Sequence, residues 1–567
     1  MATVGIDIGT GSVRVCYRNS EKGIFESWSK PIHTHNIIGD VICQSSQDIY
    51  NSIQELIIEI PYNDIKGIST TATCSMVVMK ISNTIGDNLQ INPFEFRSSN
   101  SNDDKVYDIL LWMDNSSTTQ TIQLNETLST PIKGRLGGQI IPELGIPKLK
   151  YLQDTYPTEN FIVFELYDWI NLRLTGIENK YQYKPVTTDK EGYAIDGSVK
   201  GWSQETLRGK FGVNNVKVGG GQLLPLGYPM GRFSTRGIDA VVAHGCIDCY
   251  AGWLSTIIKS ESLDEEILSM VAGSSTCFIF SSQNQEQDPP FIHGIWGPFN
   301  IWGKKYNVYE FGQPATGLLF ERLFKSYAEL IHSHINTNDI GLIFKWIEDE
   351  TVKIEEKLKK PINSIIKNDF YYGDINGNRS PLLDFTMSEI VIDGKNNTPE
   401  LDHCSIINGK DVTSLIIKYN LILEFLCFQT KQILSEFLSD NLNVWKVIIT
   451  GSQSSNERFL KLLSDIIHKP IIKIKSDTNN NTKYNVVKGA SMIAEMAVKL
   501  SSKQYLIEDE SYYEIMKQVI NQANGYLIHE EVLPTNQLTS LYNIKYNIFL
   551  DMCNSQQKYR SLINSIE

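Results

Sequence analysis

The feature that most restricts the fold is a motif that occurs twice. Residues 3–8 read as a strand, Gly9-Thr10-Gly11-Ser12 as a tight turn and residues 13–17 as a returning strand, with β-branched residues on both sides. About 265 residues further on, 267–272 lead into Gly273-Ser274-Ser275-Thr276 and then Cys277-Phe278-Ile279-Phe280, the same strand, small-residue turn and strand. One such hairpin is commonplace, because Gly and Ser turns join strands in many folds. The pair points to a degenerate duplication: two related α/β domains, each presenting a turn to one ligand in the cleft between them.

Size agrees with two domains, since a single hydrophobic core stops growing near about 250 to 300 residues and this chain has 567. Hydrophobic residues at 41% and charged residues at 21% belong to a globular chain. Apolar residues recurring every three or four positions predict helices over 46–59, 165–175, 316–332 and 414–439. Polar stretches at 98–105, 281–290 and 476–483 read as surface loops or turns. The last segment carries predicted helices over 511–523 and 538–564 and reads as a helical appendage on the second domain. The expected division is 1–258, 259–500 and 501–567.

A formal net charge of −13 without a basic stripe argues against a nucleic-acid partner, whose phosphates demand clustered Lys and Arg. Small anions remain admissible, because backbone amides and helix N-termini supply local positive potential. No basic segment and long apolar stretch precede Val4-Gly5-Ile6, and no run of 18 apolar residues occurs, so no membrane partner is expected. Nine cysteines without dense spacing suit a reducing compartment, with the cytoplasm as default. Cys246 and Cys249 form a C-x-x-C, but zinc needs two further ligands and no second pair exists. They read as small buried residues flanking a turn. The pairs His33/His35 and His332/His334 read as exposed polar residues.

Asp7-Ile8-Gly9-Thr10-Gly11-Ser12 combines glycines that let the backbone approach a phosphate with amides and hydroxyls that donate to it. Asp7, at the strand end, could hold Mg²⁺ through water. This segment resembles the first phosphate motif of the FGGY carbohydrate kinases, and the resemblance continues in order along residues 4 to about 500. Ala72-Thr73-Cys74-Ser75 and Trp112-Met113-Asp114 resemble motifs of the pentulose-kinase branch. Gly137-Gly138 through Pro142-Glu143 to Pro147-Lys148 resembles its substrate-side loop. Then follow His244-Gly245-Cys246-Ile247-Asp248, the segment 272–277, Gly294 to Pro298, Glu310-Phe311-Gly312-Gln313, Gly377-Asn378-Arg379-Ser380-Pro381 and Gly451 to Asn456. Tyr542 to Arg560 resembles the tail of the eukaryotic D-ribulokinase-like members.

The resemblance implies an α/β fold of two ribonuclease H-like (actin-like ATPase) domains around a central cleft, with ATP and Mg²⁺ as cofactors and a sugar such as D-ribulose as substrate. It implies Asp248 as general base. Gly9, Thr10, Gly11, Ser12, Gly273, Ser274, Ser275, Gly312, Gly451, Ser452 and Asn456 are the implied nucleotide contacts, Thr73, Asp114, Lys148 and Glu310 the implied sugar contacts, and Asp7 the Mg²⁺ residue. Binding of ATP to the second domain and sugar to the first, followed by closure, would bring the γ-phosphate to the hydroxyl. A homodimer is left open.

Four departures from the family pattern stand out: Thr71 for an aspartate, Asn115-Ser116 for His-Arg, Tyr250 for a histidine, and Ser452 for the second of two adjacent glycines. Ser452 and the Asn115-Ser116 change motivate an alternative, a catalytically weakened member that binds nucleotide or sugar as a sensor or interaction partner. An actin- or chaperone-type ATPase shares the core fold but leaves the motifs from Trp112 to Lys148 without a role.

Overall fold

The computed structural model describes residues 1–37, 41–85, 88–96, 105–177, 181–183, 199–220, 224–235, 237–263, 267–283, 293–394, 407–439, 444–474, 484–502, 509–525 and 527–566. The expected loop at 476–483 and most of those at 98–105 and 281–290 lie outside these residues. The chain forms two compact units, both discontinuous in sequence. The first consists of Met1–Val271, Phe278–Phe311 and Ile474–His529, and the second of Ala272–Cys277, Gly312–Lys473 and Glu530–Glu567. These bounds differ from divisions at 258 and 500, because the chain re-enters the first unit late.

The first unit is built on a six-stranded sheet in the order Pro229–Thr235, Ile238–Ile247, Gly67–Ala72, Ala2–Ile8, Ser12–Asn19, Ile24–Pro31. Ala2–Ile8 runs antiparallel to Ser12–Asn19 and parallel to Gly67–Ala72, which in turn runs parallel to Ile238–Ile247. Every residue of Ala2–Ile8 is buried, as a central strand covered on both faces requires. The helix Asn485–Ser501 packs on this sheet. Thr3 Oγ1 donates to the Ser491 carbonyl at 3.0 Å, and a buried ion pair joins Arg18 to Glu495 at 2.7 Å. A second sheet of the same unit has Phe161–Glu165 and Met76–Ile85 at its centre.

The helix expected over 46–59 is Ser46–Glu59. Ser45 caps it by accepting from the Asp48 amide, and Ile49, Ile53, Leu56 and Ile57 form its buried stripe. The helix expected over 316–332 is instead two, Gly317–Ser326 and Ala328–Ile335, broken where Tyr327 turns inward to donate its hydroxyl to the Gly409 carbonyl at 2.7 Å.

In the second unit the 28-residue helix Val412–Ser439 packs against the helices Gly317–Ser326, Glu457–Ile467 and Thr539–Asn564. Its part Val412–Glu436 is long and apolar enough to cross a membrane by length and composition, yet most of it is buried in the protein. It serves here as a core helix. The strands Lys446–Gly451 and Ile471–Ile474 pair in parallel. The expected C-terminal appendage is divided. Asp509–Asn524 belongs to the first unit, where Tyr512 donates to the Leu226 carbonyl at 2.8 Å, and Thr539–Asn564 belongs to the second.

Candidate active site

The parallel strands of the first unit bring three chain segments together at their carboxyl ends. Ile8 lies beside Ala72, and Ala72 beside Ile247, so that Asp7, Thr73 and Asp248 fall at one edge of the sheet. Ligands of open α/β sheets bind outside such strand ends.

The first hairpin turn is closed by the Gly9 amide donating to the Ser12 carbonyl at 3.0 Å. Its register sets Asp7 opposite Arg14, whose Nη1 donates to Asp7 Oδ2 at 3.0 Å. Burial pushes the Asp7 carboxyl up from its ordinary value while the Arg14 guanidinium pulls it down. The Thr10 hydroxyl accepts from Trp112 Nε1 at 3.1 Å and its carbonyl from Gln44 Nε2 at 2.8 Å. Of the expected nucleotide contacts in this turn, Gly11 is exposed and Gly9, Thr10 and Ser12 half-buried.

Asp248 opens the helix Asp248–Leu254 at the end of the strand Ile238–Ile247 and is partly accessible. Its pKa is raised to about 7, first by burial and then by the negative charge of Asp7, with Glu310 adding to it; the Cys249 amide and Arg14 act in the opposite direction. Cys246 and Cys249 are both buried on either side of it. Four residues upstream, His244 Nε2 accepts from Lys200 Nζ at 2.5 Å, and Lys200 is ion-paired to Asp168 at 2.7 Å, all three buried. Burial and the Lys200 charge hold the His244 imidazole neutral. This buried cluster anchors the strand that delivers Asp248.

The expected sugar contacts divide into two groups. The Thr73 hydroxyl lies 3.0 Å from the Ser75 hydroxyl, which accepts from the Trp112 amide at 3.1 Å. Glu310 is buried and accepts from the Tyr250 hydroxyl at 2.5 Å. Asp114 and Lys148 face the main chain instead. Asp114 Oδ2 accepts from the Ile42 amide at 2.7 Å, and its Oδ1 from the Ser116 amide at 3.0 Å and from the Ser116 hydroxyl. Lys148 Nζ donates to the carbonyls of Leu111 and Trp112 at 2.6 and 2.7 Å, and burial pushes its pKa down. These two side chains frame the 111–116 turn that carries Trp112.

In the second unit the Gly273 amide closes its turn on the Ser275 carbonyl at 2.8 Å. The Ser274 carbonyl accepts from the Thr316 amide at 2.8 Å and the Gly273 carbonyl from the Gly317 amide at 3.1 Å, leaving Gly273 and Ser274 exposed on the outer side. The Gly312 amide donates to Ser380 Oγ at 3.1 Å, and a Cβ there would stand 2.5 Å from the Thr276 carbonyl oxygen. Gly451 has φ +90° and a Cβ would stand 2.2 Å from the Ala272 carbonyl oxygen. Two expected nucleotide positions, Gly312 and Gly451, therefore press on 272–276 with no room for a side chain. Such a small-residue cradle fits a polyphosphate approaching the backbone. Ser452 is exposed. Asn456 caps the helix Glu457–Ile467 by accepting from the Phe459 amide at 3.1 Å, and it donates to the Tyr419 hydroxyl at 2.8 Å.

Arg14, Ser75, Thr316 and Ser380 were not singled out individually by sequence. Arg14 was accessible to reasoning, because counting outward from the turn sets residue 14 opposite residue 7. Ser380 holds Gly312 across 68 residues, a contact that no local pattern announces.

Residues 268–482 match the family model described as "FGGY family of carbohydrate kinases, C-terminal domain". The chain is 29% identical to Protein MPA43 of Saccharomyces cerevisiae, covering 99% of this chain and 98% of that one. It is also 29% identical to D-ribulokinase YDR109C of the same yeast, over 83% of this chain and 68% of that one. The crystal structure of Plasmodium falciparum glycerol kinase with ADP shares its fold over 97% of both chains, with a TM-score of 0.66 at 13% identity. With residues 268–482 matching the C-terminal domain of the FGGY carbohydrate kinases and these likenesses spanning the chain, the protein is a sugar kinase of the two-domain, actin-like ATPase fold.

Proposed function

We propose that the protein transfers the γ-phosphoryl group of ATP to a hydroxyl of a ketopentose such as D-ribulose, with Asp248 as general base. The observation that carries this reading is the Asp248 carboxyl, partly accessible at the strand ends with a pKa of about 7. A base is most effective when its pKa lies near the working pH. Asp248 takes the proton from the sugar hydroxyl as its oxygen bonds to the γ-phosphorus, and the bond to the β-phosphate oxygen breaks with its electron pair leaving on ADP.

Glu310 and Thr73 supply the sugar with an acceptor and a hydroxyl, as a polyol needs for recognition. The Gly273-Ser274-Ser275 turn, exposed at Gly273 and Ser274, receives the phosphates in the second unit with Gly312 and Gly451. FGGY kinases use ATP with Mg²⁺, and this chain fits the ion: Asp7 raises the proton affinity of Asp248, and Arg14 offsets only part of that crowding of negative charge. Asp7 would hold Mg²⁺ through water, and the bound ion neutralises phosphate charge. D-Ribulose is favoured by the likeness to the yeast D-ribulokinase.

Sugar-stimulated ADP release measured over a panel of D- and L-ribulose, D-xylulose and glycerol tests the reading. The highest kcat/KM is expected with D-ribulose. Preference for another member replaces the substrate, and ATP binding without stimulation by any sugar favours a sensor over the proposed phosphorylation.

A further inference from the structure

The C-terminal helix Thr539–Asn564 packs within the second unit against a loop that also holds Gly312. Gln556 meets Ser388 as a strand partner would: its Oε1 accepts from the Ser388 amide at 2.9 Å and its Nε2 donates to the Ser388 carbonyl at 3.1 Å. One turn on, Arg560 donates to the Thr386 carbonyl and lies 3.8 Å from the Asp384 carboxylate. Two turns before Gln556, Phe549 stacks on Tyr372 with ring centroids 5.4 Å apart.

Tyr372 and the 374–388 loop are themselves cross-tied. The buried Asp374 accepts from the Tyr372 hydroxyl at 2.6 Å, from Asn378 Nδ2 at 2.8 Å and from Gln429 Nε2 at 2.6 Å. The Asn378 amide donates to the Asp384 carbonyl at 2.8 Å. Between these ties sits Ser380, whose hydroxyl accepts from the Gly312 amide, and Gly312 lies against Thr276 in the second hairpin. Hydrogen bonds and short stretches of backbone thus lead from Gln556 and Arg560 through the loop to Gly312, which packs against the second turn.

We infer that the C-terminal helix is a splint for the nucleotide side of the site, with Gln556 and Arg560 as positioning residues that fix the 374–388 loop and through Ser380 set the backbone of Gly312. The inference rests on the reading that the second unit binds ATP. The sugar-side residues Thr73 and Glu310 belong to the first unit, so loss of the splint should separate the two substrates kinetically.

The test is the full-length double variant Gln556→Ala/Arg560→Ala beside Tyr559→Ala, an exposed neighbour on the same helix. Loss of these hydrogen bonds should raise KM and Kd for ATP about five- to tenfold, with KM for the sugar and kcat within about twofold of wild type. Amide hydrogen exchange in a peptide spanning 310–316 should quicken, and Tyr559→Ala should change none of these. An ATP KM that stays put, or that rises only together with the sugar KM, overturns the splint. If the double variant fails to fold, Gln556→Glu keeps the acceptor for the Ser388 amide but withdraws the donor to its carbonyl. An unchanged ATP KM in that variant also overturns it. A wild-type chain that phosphorylates sugar yet binds no ATP defeats the nucleotide reading itself, and the splint with it.

Discussion

Arg14 stands opposite Asp7 across the first hairpin, with its guanidinium 3.0 Å from the Asp7 carboxylate, and the same positive charge also lowers the proton affinity of Asp248. The hairpin turn therefore does more than face a phosphate. It sets the electrostatics of the base.

Replacing Arg14 by Gln should move the pKa of Asp248 upward from about 7, because the group that opposes Asp7 and Glu310 is gone. In a profile of kcat/KM against pH, the acidic limb of wild type should fall near pH 7 and that of Arg14→Gln at higher pH. Coincident limbs would assign the limb to another group.

Asp248→Asn should lower kcat by about 10²- to 10⁴-fold while sugar binding persists. A fall of less than about tenfold would remove the general-base role. The same variant should unfold at a higher temperature than wild type at pH 8. Because the folded pKa of Asp248 is raised from 3.8, its favourable effect on folding is complete below the unfolded value and is lost as pH rises through about 7. Above that pH the ionised, crowded carboxylate is a liability that the neutral amide lacks. Equal melting temperatures at pH 8 would contradict the electrostatic account.

Tyr250→Phe withdraws the hydroxyl that donates to the buried Glu310 carboxylate at 2.5 Å. Hydrogen bonds to charged groups contribute about 1.5 to 3 kcal/mol, so KM for the sugar should rise about tenfold or more, with the ATP KM unaffected. Steady-state kinetics with each substrate varied would show it, and an unchanged sugar KM would sever Glu310 from sugar recognition.

Gly451→Ala should destabilise the second unit by about 2 to 4 kcal/mol, combining left-handed backbone strain with a Cβ forced against the Ala272 carbonyl. Denaturant unfolding would measure it. A loss below about 0.5 kcal/mol would mean that the backbone relaxes freely there.

Much of the frame was legible because it is written in local patterns. The turns at 9–12 and 273–276 are marked by small residues between β-branched runs, and helix 46–59 is fixed by its Ser cap and apolar stripe. What escaped was long-range. Asp114 and Lys148 present charge in the sequence, but nothing there tells that the Ile42 amide and the Leu111 and Trp112 carbonyls will absorb it. The broken helix at Tyr327 follows from a hydroxyl finding Gly409, 82 residues away. The assignment of Asp509–Asn524 and Thr539–Asn564 to different units depends on packing partners that periodicity does not name.

The helix Asn485–Ser501 gives the first unit a particular history during synthesis. Thr3 meets Ser491, 488 positions later, so during synthesis the sheet that holds Ala2–Ile8 stays uncovered until the helix Asn485–Ser501 has been made. A nascent chain with that apolar face open is a natural client for chaperones. A gene fragment ending near residue 258 would keep the face open permanently, and should regain solubility when 474–529 is supplied in trans.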